Sequence, residues 1–110
     1  MMQSRIKQIK LFAGAMSKEC VDAILKIEKI ENSVGFISSR RQVDLLGGYV
    51  NNWSTKQFHE YVREKNREVL LCRDHGGNSQ GQQEDDGVDS FLEDLNYLDI
   101  IHIDPWKKYK

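Results

Sequence analysis

Two consecutive residues, Asp74 and His75, follow the apolar run Val69-Leu70-Leu71-Cys72 with only Arg73 between. A carboxylate and an imidazole are the side chains best suited to moving protons and holding divalent metals. A second apolar run, Ile100-Ile101-His102-Ile103, carries another imidazole and ends in Asp104. Side chains alternate across a strand, so only one of two neighbours ordinarily faces a given side. At the first residue past a strand end that alternation relaxes, and Asp74 and His75 could both turn to one site. Taken alone, the pair is more often a turn-capping aspartate beside a surface histidine. A catalytic zinc needs three protein ligands, so His75 requires partners. His102 qualifies only if it faces the same side, and His59 falls on a helical stretch expected to be solvated.

Other residues fit binding. Arg40, Arg41 and Arg73 fall at adjacent strand ends, where guanidinium groups can grip a phosphate or carboxylate bidentately or simply remain solvated. Gly47-Gly48 would let the backbone approach a ligand, and the same dipeptide makes a plain turn. Asp104 reads as a contact to a substrate hydroxyl, a support for another site residue, or a cap before Pro105. Trp53 and Trp106 are expected to pack rather than to stack on sugar.

These residues need elements to hold them. Ile9 to Ala15 reads as a strand, and Ser17 caps a helix running to about Lys29 with Val21, Ile24 and Leu25 on its apolar side. Val34 to Ile37 is a short second strand. Ser54 with Gln57 makes a capping box for a helix whose apolar stripe is Phe58, Tyr61 and Val62. Glu68 to Cys72 reads as the third strand, a helix carries Phe91, Leu92 and Leu95, and Asp99 to Ile103 forms the fourth strand. Strand and helix alternating in this way predict βαβ units and a parallel sheet. Ligands gather at the carboxyl ends of such strands, which is where the long polar loops fall.

The ordered set RRQVDLLGGYVNNWSTKQFHEYV, LLCRDHGGNSQGQ and IIHIDPW resembles successive landmarks of the tagatose-bisphosphate aldolase accessory-subunit family, over residues 36 to 104. That family is built on (β/α)8 barrels related to the class II, zinc-dependent ketose-bisphosphate aldolases. The resemblance implies carbohydrate metabolism on sugar phosphates. Asp74 would be the acid/base group and His75 a zinc ligand, with the remaining zinc ligands on strands beyond these four. Beside the resemblance, Arg40, Arg41, Gly47, Gly48, Arg73 and Asp104 are substrate-contact candidates by their positions alone, and the three arginines depart from its pattern. The resemblance implies either a catalytic barrel or the non-catalytic partner of an aldolase subunit. Arg73 stands where the family carries glycine, which suggests a different sugar substrate.

A (β/α)8 barrel takes about 250 residues. The 110 residues here therefore predict one α/β domain over 1–110 that is the N-terminal half of a TIM barrel, with the catalytic function incomplete in this half alone. The open edge of a half barrel predicts association into oligomers. Sixteen basic against seventeen acidic residues give a net charge of −1, which gives no basis for binding nucleic acid or an anionic membrane. Cys20 and Cys72 lie far apart, so a thiolate metal site is not expected, and both are expected to be buried free thiols. No stretch has the length of a membrane span and the N-terminus lacks a signal-type segment, which predicts a cytoplasmic location.

Overall fold

The computed structural model describes residues 11–14, 16–31 and 34–104. Its elements are β1 (Leu11–Gly14), α1 (Lys18–Glu31), β2 (Val34–Ser39), α2 (Thr55–Lys65), β3 (Leu71–Gly76), α3 (Val88–Tyr97) and β4 (Ile100–Ile103). The strands form one sheet in the order β1-β2-β3-β4, and every neighbouring pair is parallel. Parallel neighbours need a crossover, and each of the three helices supplies one. The fold is thus α/β with a four-stranded parallel sheet, as the alternating pattern predicts. Ile9, Lys10, Ala15, Pro105 and Trp106 lie outside the described residues. No helix among the described residues is long and apolar enough to cross a membrane.

Local chemistry starts the helices where the sequence says. Ser17 Oγ accepts from Cys20 N at 3.2 Å. At α2 the full capping box forms: Ser54 Oγ accepts from Gln57 N, and Gln57 Oε1 accepts from Ser54 N at 2.9 Å. Two orphan amides are satisfied there, which stabilises the helix start by about 1 kcal/mol. Val21 and Leu25 of α1, Phe58 and Val62 of α2, and Phe36 and Leu71 of the sheet share one core cluster with Val43, Val50 and Trp53 from the long β2–α2 loop. Trp53 stacks on Tyr61 with ring centroids 4.8 Å apart, so it packs as expected. On the other sheet face, a Cβ on Gly35 would come within 2.7 Å of the Phe12 ring. Glycine there leaves room for the Phe12 ring over β2.

Several readings of the sequence are refined. β3 runs from Leu71 to Gly76 rather than from Glu68 to Cys72. The Asn66 carboxamide holds the amides of Glu68 and Val69 in a turn, so the chain joins the sheet only at Leu71. β2 extends through Ser39 because Ser38 and Ser39 pair with Arg73 and Asp74. Phe91, Leu92 and Leu95 of α3 are exposed, while its buried residues are Ser90 and Asp94. The helix turns its polar face inward because the core offers it a cation, described below. Cys72 is buried as expected but Cys20 is exposed, and both thiols are free.

Candidate metal and acid–base site

A β-bulge builds the site. Arg73 pairs with Ile101 and Gly76 with Ile103, so two residues of β3, Asp74 and His75, oppose the single residue His102 of β4. His75 adopts a left-handed backbone conformation with φ of 51°. A bulge of this kind breaks the strict alternation of side chains and re-aims them. Asp74 and His75 consequently meet on one side, and His102 reaches them from the next strand. Both side chains face one side through a bulge inside the strand and not through a loop.

The distances define the cluster. His75 Nε2 lies 3.4 Å from Asp74 Oδ1, and His102 Nδ1 lies 3.8 Å from the same oxygen. The two imidazole rings are 5.3 Å apart. One donor atom from each of Asp74, His75 and His102 can be chosen so that all lie within 4.8 Å of one another. Donors around a tetrahedral zinc at about 2.1 Å sit about 3.4 Å apart, which the Asp74–His75 pair matches and the other pairs exceed. Two imidazoles and a carboxylate also match the three-ligand sets of catalytic zinc sites. His75 and His102 have side chains 54% and 56% exposed, which leaves one side of the cluster open to a ligand. The residue types present therefore fit a divalent metal, with three candidate donors on β3 and β4. On its opposite ring edge, His75 Nδ1 is 3.1 Å from Asp104 Oδ2.

Arg73 does not belong to this site. It alternates away from Asp74, to the helix-covered face, and is fully buried. Its Nε and Nη2 donate bidentately to Asp94 at 2.9 Å each. Nη1 donates to the carbonyls of Val43 at 2.6 Å and Ser38 at 3.3 Å, and Nη2 also donates to Thr55 Oγ1 at 3.3 Å. A guanidinium carries five N–H donors, so five hydrogen bonds leave none for a substrate phosphate. The substrate-binding role expected of Arg73 is replaced by a structural one: it is the cation that draws Asp94 and the polar face of α3 inward.

Arg40 is likewise buried and paired. Nε donates to Asp44 at 2.9 Å, and the two terminal nitrogens grip Asp85 at 2.9 and 2.5 Å. Nη1 also donates to the Gly77 carbonyl at 2.7 Å. These bonds tie the loop from Gly77 to Gly87 back onto the loop after β2. Hydrogen bonding from the Arg40 guanidinium is the main reason the Asp85 carboxyl lies below its ordinary 3.8, and Asp85 in return raises Arg40. Arg40, expected at the substrate, is a latch for that loop. Arg41 is exposed and remains open to an anion.

Gly47 and Gly48 serve their own loop. Gly47 has a φ of 103°, and a Cβ on Gly48 would lie 2.1 Å from the Gln42 carbonyl oxygen. The dipeptide is required by close backbone packing, with the Gly48 amide donating to Trp53 O, so the ligand-approach role expected of it gives way to a turn. His59 is half-buried instead of solvated, with Nδ1 2.8 Å from the Tyr97 carbonyl oxygen.

Several residues in these networks carry no local signal in the sequence. Asp94 and Thr55 matter through Arg73, which is 21 and 18 positions away from them. Gln80 donates to the Asp104 carbonyl across 24 positions. Only the fold joins them. Comparison with protein-family models, with curated proteins and with solved structures returns no match.

Proposed function

We propose that this chain is the N-terminal half of a (β/α)8 barrel of the aldolase type, acting on a sugar phosphate with a divalent metal, zinc by the chemistry of its donors. The observation that carries this reading is the convergence of Asp74, His75 and His102 at the carboxyl ends of adjacent parallel strands. Strands that run in sequence order, all parallel and joined by helical crossovers, suit a barrel segment. The resemblance of the DH, GGY and HID elements points the same way.

His75 and His102 would hold the ion through nitrogen and Asp74 through one oxygen. The bound metal would supply Lewis acidity to the substrate carbonyl. The chain's own part is proton movement and orientation. The second carboxylate oxygen of Asp74 accepts the proton of the substrate hydroxyl as the carbon–carbon bond breaks. The electrons of that bond pass into the carbonyl, giving an enediolate, and a proton returned to carbon completes the cleavage. Arg41 is the arginine left to meet a phosphate, since Arg40 and Arg73 are consumed internally.

Equilibrium zinc binding tests the proposal. One zinc per chain, lost in His75→Ala and accompanied by zinc-dependent release of triose phosphate from a ketose bisphosphate, supports it. Absence of bound zinc in the folded protein refutes it. Zinc binding without cleavage of any ketose bisphosphate would leave the metal site standing while the aldol chemistry fails for these residues alone.

A second reading, the accessory partner of a catalytic class II aldolase subunit, draws on α3. Val88, Phe91, Leu92 and Leu95 form an exposed apolar stripe at helical spacing, a surface suited to a protein neighbour. Co-purification with such a subunit, abolished by Leu92→Glu, would favour this reading.

A further inference from the structure

We propose that Asp104 is the positioning residue of the site, fixing the tautomer and ring orientation of His75 so that Nε2 presents its lone pair toward Asp74. This rests on the metal-site reading above.

His75 lies between two carboxylates, and both are acceptors when ionised. A neutral imidazole has one N–H, so only one of them receives a proton. The contact to Asp104 is the shorter, 3.1 Å from Nδ1 against 3.4 Å from Nε2 to Asp74. Placing the proton on Nδ1 makes the shorter contact a hydrogen bond and relieves it of lone-pair repulsion. Nε2 then faces Asp74 unprotonated, as a metal ligand must. Carboxylates set behind metal-binding histidines act in this way, and their loss typically costs 10–100-fold in metal affinity.

Asp104 is itself held. Its amide donates to the Gly76 carbonyl at 2.6 Å, which fastens the end of β4 to the end of β3. Its own carbonyl accepts from Gln80 Nε2 at 3.2 Å. Gly77 passes so close that a Cβ there would come within 2.9 Å of the Asp104 carbonyl oxygen. The backbone that carries the carboxylate is thus gripped by the bulged strand and by the glycine- and glutamine-rich loop. A carboxylate anchored at its main chain gives His75 little freedom to swing away.

The test uses the whole chain with zinc as the probe, and the variants Asp104→Ala and Asp104→Asn. In the metal-free protein, nitrogen-detected imidazole spectra under alkaline conditions report which ring nitrogen of His75 carries the proton. The wild type is expected to show the Nδ1–H form, and Asp104→Ala to shift toward Nε2–H. Asp104→Asn, whose amide oxygen accepts the same hydrogen, keeps the wild-type form. Zinc affinity is expected to fall 10–100-fold in Asp104→Ala. Equal affinity in the wild type and Asp104→Ala, or an unchanged His75 tautomer, overturns the inference while leaving the metal site standing. A wild type that binds no zinc removes the metal reading, and the tautomer comparison still decides whether Asp104 positions His75. If Asp104→Ala does not fold, a wild type in the Nε2–H form is enough to overturn it.

Discussion

Truncating Asp94 to alanine separates a structural arginine from a ligand-binding one. Both partners are essentially removed from water, with Arg73 and Asp94 side chains 0% and 2% exposed. In Asp94→Ala the guanidinium keeps its bonds to Ser38, Val43 and Thr55 but loses both charge-assisted bonds and its only ion-pair partner among the described residues. Breaking a buried pair from one side costs about 3–5 kcal/mol, because the remaining charge stays uncompensated. With a urea slope of roughly 2 kcal/mol per molar for a small domain, the midpoint should fall by about 2 M. Urea unfolding followed by circular dichroism provides the measurement. The double variant Arg73→Met, Asp94→Leu removes both charges together and should recover most of the loss, since burying apolar groups of similar size is often neutral or better. A loss below about 1 kcal/mol in Asp94→Ala would mean that Arg73 is solvated, in the range of an exposed pair. The structural assignment would then fail, and Arg73 would return as a candidate for the substrate.

Other outcomes follow from the same contacts. Leu92→Lys and Leu95→Lys should change stability by no more than about 0.5 kcal/mol despite removing leucines, because both are exposed. Gly48→Ala should destabilise by about 1–3 kcal/mol through overpacking against the Gln42 carbonyl, read from the same denaturation curves. Asp85 has a folded-state carboxyl held below 3.8 by Arg40, so its contribution is present above that value and disappears as the pH falls through the depressed one. The protection of the Ser79 amide against exchange, relative to its intrinsic rate at each pH, should fall on acidification because its N–H donates to Asp85, and Asp85→Asn should flatten that dependence. Cys20 should react with a thiol reagent in the native protein, whereas Cys72, with its thiol pushed up by burial, should react only on unfolding.

The parallel sheet was legible because the alternation of short apolar runs and amphipathic stretches has few other solutions. Ser54 and Gln57 predict their capping box because both partners lie within one turn. The chemical candidates Asp74 and His75 were legible as residue types, and the likeness of their surroundings gave them roles. Bulged pairing with β4 brought His102 in, since which face a strand residue takes depends on the register of its neighbour. The internal pairing of Arg40 and Arg73 was not legible for a related reason. A guanidinium at a strand end looks the same in sequence whether its counter-charge is a substrate or an aspartate on a distant helix.

Sequence by itself determined the periodicities, the caps and the presence of acid, imidazole and base near strand ends, all properties of residues within a few positions of each other. Tertiary structure alone decided which charges are already neutralised. Arg73 meets Asp94 and Arg40 meets Asp85 only after the crossovers bring the loops and helices together. A buried charge must be paired, while an exposed one can wait for a ligand. Burial is fixed by the packed fold, so that distinction cannot be read from the chain before it folds.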